Sequence, residues 1–167
     1  MKRIGQIFLL VCVLTGMLSC KSVKDTPNAS ALYAQALQAL EERSFVIEAY
    51  QFFIPKKKGT EIKYSTGSSL LLTDSICKVQ YEPTVFPGRP FFHLNLQDPH
   101  ATCTHHHSRK NGEQEFILKM DGGQEYLRHT YLITLYPGGN ECFVRQQTRD
   151  GKEELTFKGR VFFRENP

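Results

Sequence analysis

His100, Cys103, His105, His106 and His107 fall within eight residues, with His93 upstream, and form the densest group of chemically capable side chains in the sequence. Imidazole and thiolate are ligands for zinc and copper. On an extended segment His105 and His107 project to one side and His106 to the other, so His100, Cys103, His105 and His107 would converge if the segment folds back. The spacing matches neither Cys-x-x-Cys nor His-Glu-x-x-His. The reading favoured is therefore a solvated polar loop. A zinc or copper site is the alternative, and casual uptake of nickel or copper is expected of such a cluster. Cys103 as a nucleophile would need a held base and an oxyanion site. Gly-x-Ser-x-Gly elbows and phosphate-cradling glycine loops are absent from the sequence. No enzymatic activity and no resident cofactor are expected, and a hydrolase whose site is assembled only by the fold stays as a further alternative.

A second group is aromatic. Phe86, Arg89, Phe91 and Phe92 flank a loop with three prolines at 82–90. An aromatic rim with one cation there would meet a small apolar ligand or an envelope protein partner. A packed core beside a rigid loop is the reading preferred, because aromatic side chains dominate ordinary cores. The chain has 12 Phe, 7 Tyr and no Trp.

These residues need a framework to place them. Tyr33, Ala36, Leu37 and Leu40 recur at helical spacing behind a cap at Asn28 or Ser30, which predicts one short helix. From Ser44 the period becomes two. Strands are expected at 45–53, 61–64, 70–72, 76–81, 91–96, 115–120, 126–136, 141–147 and 153–163, some of them arms of one hairpin, with 97–112 the longest irregular piece. Short strands between Gly-containing turns predict an α+β, mainly antiparallel β domain. It is a small barrel or sandwich of about seven to eight strands with one N-terminal helix.

The first residues set the address. Lys2 and Arg3 precede an apolar run at 7–14, the anatomy of an export signal and shorter than the roughly 20 residues that span a bilayer. Met17-Leu18-Ser19-Cys20 resembles the lipobox of bacterial lipoproteins. By that resemblance residues 1–19 are removed and Cys20 carries the lipid, with two or more acyl chains giving firm anchoring. Lys21 and Ser22 resemble the pattern of retention at the outer membrane, with the body facing the periplasm or the exterior. Residues 20–29 read as a flexible tether and 30–167 as a single domain. The net charge of +4 includes Lys2 and Arg3, so nucleic acid is not an expected partner, and a monomer is expected. With Cys12 removed and Cys20 lipidated, Cys77, Cys103 and Cys142 allow one disulfide and a leftover thiol, or three free thiols.

The order of features also resembles the lipoprotein family labelled domain of unknown function 4251, found in gut-dwelling gram-negative anaerobes. The resemblance covers roughly 31–161. It rests on Phe45-Val46-Ile47-Glu48-Ala49, the hairpin around Asp74, the Pro83, Phe86, Gly88, Arg89 and Phe91 block, and the Phe157-x-Gly159-x-Val161 element. The histidine cluster departs from that pattern. The resemblance implies fold and location, and no activity.

Overall fold

Pro27 opens the helix, at the position where its fixed φ and missing N–H cost nothing. Helix α1 (Pro27–Glu41) thus starts ahead of the expected caps. In this computed structural model the described residues are 27–73, 76–88, 95–121 and 128–164. None of their helices is long and apolar enough to cross a membrane. Helix α1 buries Ala36, Ala39 and Leu40 and half-buries Tyr33 and Leu37. It ends where Arg43 takes a left-handed φ of 57°, and the Ser44 N–H reaches back to the Ala39 carbonyl at 3.0 Å.

Nine strands follow: β1 (Phe45–Pro55), β2 (Thr60–Thr73), β3 (Ile76–Gln80), β4 (Asn95–Asp98), β5 (Thr102–Ser108), β6 (Gln114–Asp121), β7 (Arg128–Leu135), β8 (Glu141–Thr148) and β9 (Glu153–Phe163). They form one antiparallel sheet in the order β4-β3-β2-β1-β9-β8-β7-β6-β5. The first and last strands therefore meet in the middle, and β4 and β5 are the two edges. Laid flat, edges eight spacings apart would be separated by about 38 Å. Yet only residues 99–101 join β4 to β5, a link that reaches about 14 Å. The sheet has to curl, and it forms a half-barrel instead of a sandwich.

Three irregularities help it bend. The β1–β2 and β1–β9 registers shift between Ala49 and Gln51, β5 bulges between His105 and His107, and the β8–β9 register shifts between Gln146 and Gln147. Bulges tighten twist and turn a strand aside. Close packing helps as well: a Cβ on Gly159 would lie 2.6 Å from Ile47 Cγ2 and 2.9 Å from the Glu48 carbonyl oxygen, so β9 sits against β1 only with glycine there.

The concave face holds one core. Phe52 lies at its centre, with ring centroids of Tyr81, Phe86 and Phe157 at 5.8, 6.2 and 5.4 Å. Helix α1 packs on this side, against β9, β1 and β5. Asp98, fully buried, ties the curl together: one carboxylate oxygen accepts the His100 N–H at 2.8 Å and the other the Asp121 N–H, at the end of β6, at 2.6 Å.

The strand count is nine, above the seven to eight expected. Strand β2 is a single 14-residue strand where two short segments were expected, which by itself lowers the count. The added strand comes from 97–112, expected to be irregular, which contains the end of β4 and all of β5. An edge strand exposed along most of its length needs little apolar alternation, so periodicity does not reveal it.

Candidate functional site

The histidine cluster is placed by β5. Cys103 faces the core opposite Leu118, and His105 pairs with Phe116, on which its ring stacks at 4.8 Å. His105 Nε2 lies 3.0 Å from Gln114 Oε1 and 3.2 Å from Ser108 Oγ. The bulge then inserts His106, so His107 pairs with Glu115. The extra residue breaks the period of two, and His105 and His107 lie on opposite faces, contrary to the alternation expected. His100 follows β4 and gives its backbone N–H to Asp98. Among the described residues no three His, Cys, Asp or Glu side chains are gathered as metal ligands.

The thiols are buried and free at Cys77, Cys103 and Cys142. Burial, then Asp98 and Cys103, pushes Cys77 up to about 12. Burial pushes Cys103 up to about 11 against the opposing pull of Arg43, and Cys142 up to about 12. Thiols held protonated in this way are poor nucleophiles and poor ligands near neutral pH.

The aromatic group is divided. Phe86 is 9% exposed and packs on Phe52 and on Tyr81, the latter at 5.5 Å, so it serves the core. Arg89, Phe91, Phe92 and His93 lie outside the described residues, as do Cys20 and Asp74. The segment leading to Phe86 is anchored at Glu82, whose carboxylate accepts from Ser65 Oγ at 2.6 Å and the Thr66 N–H at 3.2 Å.

Two arrangements were not signalled by any motif in the sequence. Inside the half-barrel, Tyr81 donates to Gln146 Oε1 at 2.6 Å. Gln146 Nε2 donates to Glu154 Oε2 at 3.3 Å, and His129 Nε2 lies 3.3 Å from the same oxygen. The β8–β9 register shift leaves Glu154 as the extra residue, which frees its carboxylate to make these contacts. The fully buried Tyr131 hydroxyl lies beside that of Tyr81 and acts on it, and His129 Nδ1 meets no hydrogen-bond partner among the described residues. Burial raises both phenols well above their ordinary range. These contacts link Tyr81, just after β3, across the core to β7, β8 and β9, which their backbone ladders already join.

The second arrangement is a groove of about 160 Å³ on the convex face. Ile117, Leu132 and Arg145 are successive cross-strand partners on β6, β7 and β8, and Thr134, Glu115 and His106 complete the walls. Arg109 holds Glu115 at 2.6 Å. Half-buried Arg145 has no carboxylate of the described residues within ion-pair distance. Its signal in sequence is slight: Leu132 is apolar between the inward Tyr131 and Ile133, where alternation calls for a polar residue.

No family model matches the chain, and no curated protein matches it. Among solved structures, a DUF4251 family protein from Bacteroides eggerthii superposes with a TM-score of 0.62 at 18% identity, over 82% of this chain and 91% of that one. The chain has the DUF4251 fold. Two of the stretches that carried the resemblance in sequence, Phe45–Ala49 and Phe157–Val161, lie side by side at the middle of the sheet. Phe45, Ile47 and Ala49 on β1 pair with Phe163, Val161 and Gly159 on β9, closing the middle of the sheet. The groove belongs to the opposite, convex side of this DUF4251 fold.

Proposed function

We propose that this protein is an envelope lipoprotein, tethered to the outer membrane through Cys20, and that it acts as a binding or accessory component without catalysis. The tether is supported by Lys2 and Arg3, the apolar run at 7–14 and Met17-Leu18-Ser19-Cys20. One observation carries the binding role. On the convex face, which α1 leaves bare, the guanidinium of Arg145, without a counter-ion among the described residues, borders an apolar floor of Ile117 and Leu132. A half-buried cation without a counter-ion is costly alone and becomes favourable when a ligand supplies the charge.

The two arms are tested separately. Cys20→Ala is expected to abolish incorporation of radiolabelled fatty acid and to move the protein from the membrane to the soluble envelope fraction; continued labelling would sink the tether. Native mass spectrometry of protein released gently from envelopes is expected to show a small-molecule adduct that Arg145→Gln removes. An unadorned wild-type mass would overturn the binding role.

A further inference from the structure

The size, charge and layout of the groove narrow what it can hold, and the identity of its ligand rests on the groove being a binding site. We propose that its ligand is a small organic carboxylate with a compact apolar body about the size of one benzene ring. Three features define that class. The first is volume: about 160 Å³ is close to the roughly 150 Å³ of an apolar cavity that holds benzene.

The second is charge. Four ionisable side chains line the groove: His106, Arg109, Glu115 and Arg145. Arg109 and Glu115 neutralise each other at 2.6 Å, with Glu113 a further 3.7 Å partner of Arg109. That leaves Arg145 as the open cation among these described side chains. Its planar fork offers paired N–H donors, the match for the two oxygens of one carboxylate.

The third is the order of the parts. Along one cross-strand row Ile117 pairs with Leu132 and Leu132 pairs with Arg145. Neighbouring strands are about 4.8 Å apart, so a carboxylate on Arg145 places the attached apolar body over Leu132 and Ile117. The Thr134 hydroxyl beside them adds a donor for the same head group. A bare inorganic anion would leave the apolar floor unused, and a neutral ring would leave Arg145 unpaired.

The test uses the mature lipoprotein purified from envelopes in a non-ionic detergent, with Ile and Leu methyl groups isotopically labelled for NMR. Benzoate is the probe, and benzylamine, of like size and opposite charge, is its control. Benzoate is expected to shift the Ile117 and Leu132 methyl signals saturably, and benzylamine to leave them in place. Arg145→Gln should weaken benzoate at least about tenfold, with Arg145→Lys intermediate. Arg145 projects from the convex face, so both variants are expected to melt as the wild type does. Absence of benzoate shifts, equal binding of benzylamine, or unchanged affinity in Arg145→Gln would each overturn the assignment. So would displacement of benzoate by an equal concentration of inorganic phosphate, which would mark a surface that takes any anion. A native adduct lost in Arg145→Gln, together with no benzoate binding, would discard the carboxylate and leave the binding role standing.

Discussion

Arg43 shows how a single residue can carry strain for a neighbour's sake. It is the left-handed residue that ends α1, a position usually given to glycine because a Cβ is penalised there. Arg43→Gly is expected to stabilise the fold by about 0.5–1 kcal/mol, measured as a higher urea midpoint with an unchanged slope. A lower midpoint would show that the guanidinium side chain, which acts on Cys103, does more for the fold than the strain costs. The helix itself was legible, because Tyr33, Ala36, Leu37 and Leu40 repeat at helical spacing. Ala39, equally buried, was not singled out, since alanine suits either face of a helix. Phe86 shows the converse: its type was read correctly as suited to a core or a rim, and only packing on Phe52 and Tyr81 decided for the core.

At the scale of elements, the edges decide most. Strand β5 escaped the periodicity argument because its partner lies on one side only and five consecutive residues from Thr104 to Ser108 are exposed. The bulge within it then separated His105 from His107, which no reading of spacing could foresee. Asp98, at the end of edge strand β4, accepts backbone N–H groups from His100 in the connection and from Asp121 at the end of β6. Asp98→Ala leaves two part-buried donors without this acceptor and is expected to cost about 2–4 kcal/mol. Asp98→Asn, which keeps one acceptor oxygen but turns an NH2 toward the other N–H, should cost less than Asp98→Ala. Urea unfolding gives the energies, and faster hydrogen exchange at the Asp121 amide would locate the loss. A cost below about 1 kcal/mol for Asp98→Ala, on the scale of an ordinary exposed hydrogen bond, would show that something other than this carboxylate holds the curl.

For the whole molecule, burial of acidic side chains that stay protonated makes stability depend on alkaline pH. Free thiols titrate near about 8.5 in an unfolded chain. In the folded protein Cys103 is raised to about 11 and Cys77 and Cys142 to about 12. A raised folded value means that the native state holds its proton more tightly. The contribution is therefore complete below about pH 8.5 and is lost as pH climbs towards 11–12, at up to about 1.4 kcal/mol per pH unit for each thiol. The buried Tyr81 and Tyr131 phenols act in the same direction at higher pH. Thermal unfolding followed from pH 7 to 11 should show Tm level at first and then falling from about pH 8.5. A level profile to pH 10.5 would mean that these thiols are reached by solvent.

The amino-acid sequence by itself determined what depends on neighbours along the chain: the helical stripe and the β-rich character with glycine turns. It also carried the fold resemblance through Phe45–Ala49 and Phe157–Val161, because the strands that close the sheet must keep small and inward-facing residues in a set order. Only the tertiary structure decided the curl, the scattering of the histidines, and the meeting of Ile117, Leu132 and Arg145. Those depend on register between strands, which a shift of one residue inverts, and on a three-residue link that forces distant edges together.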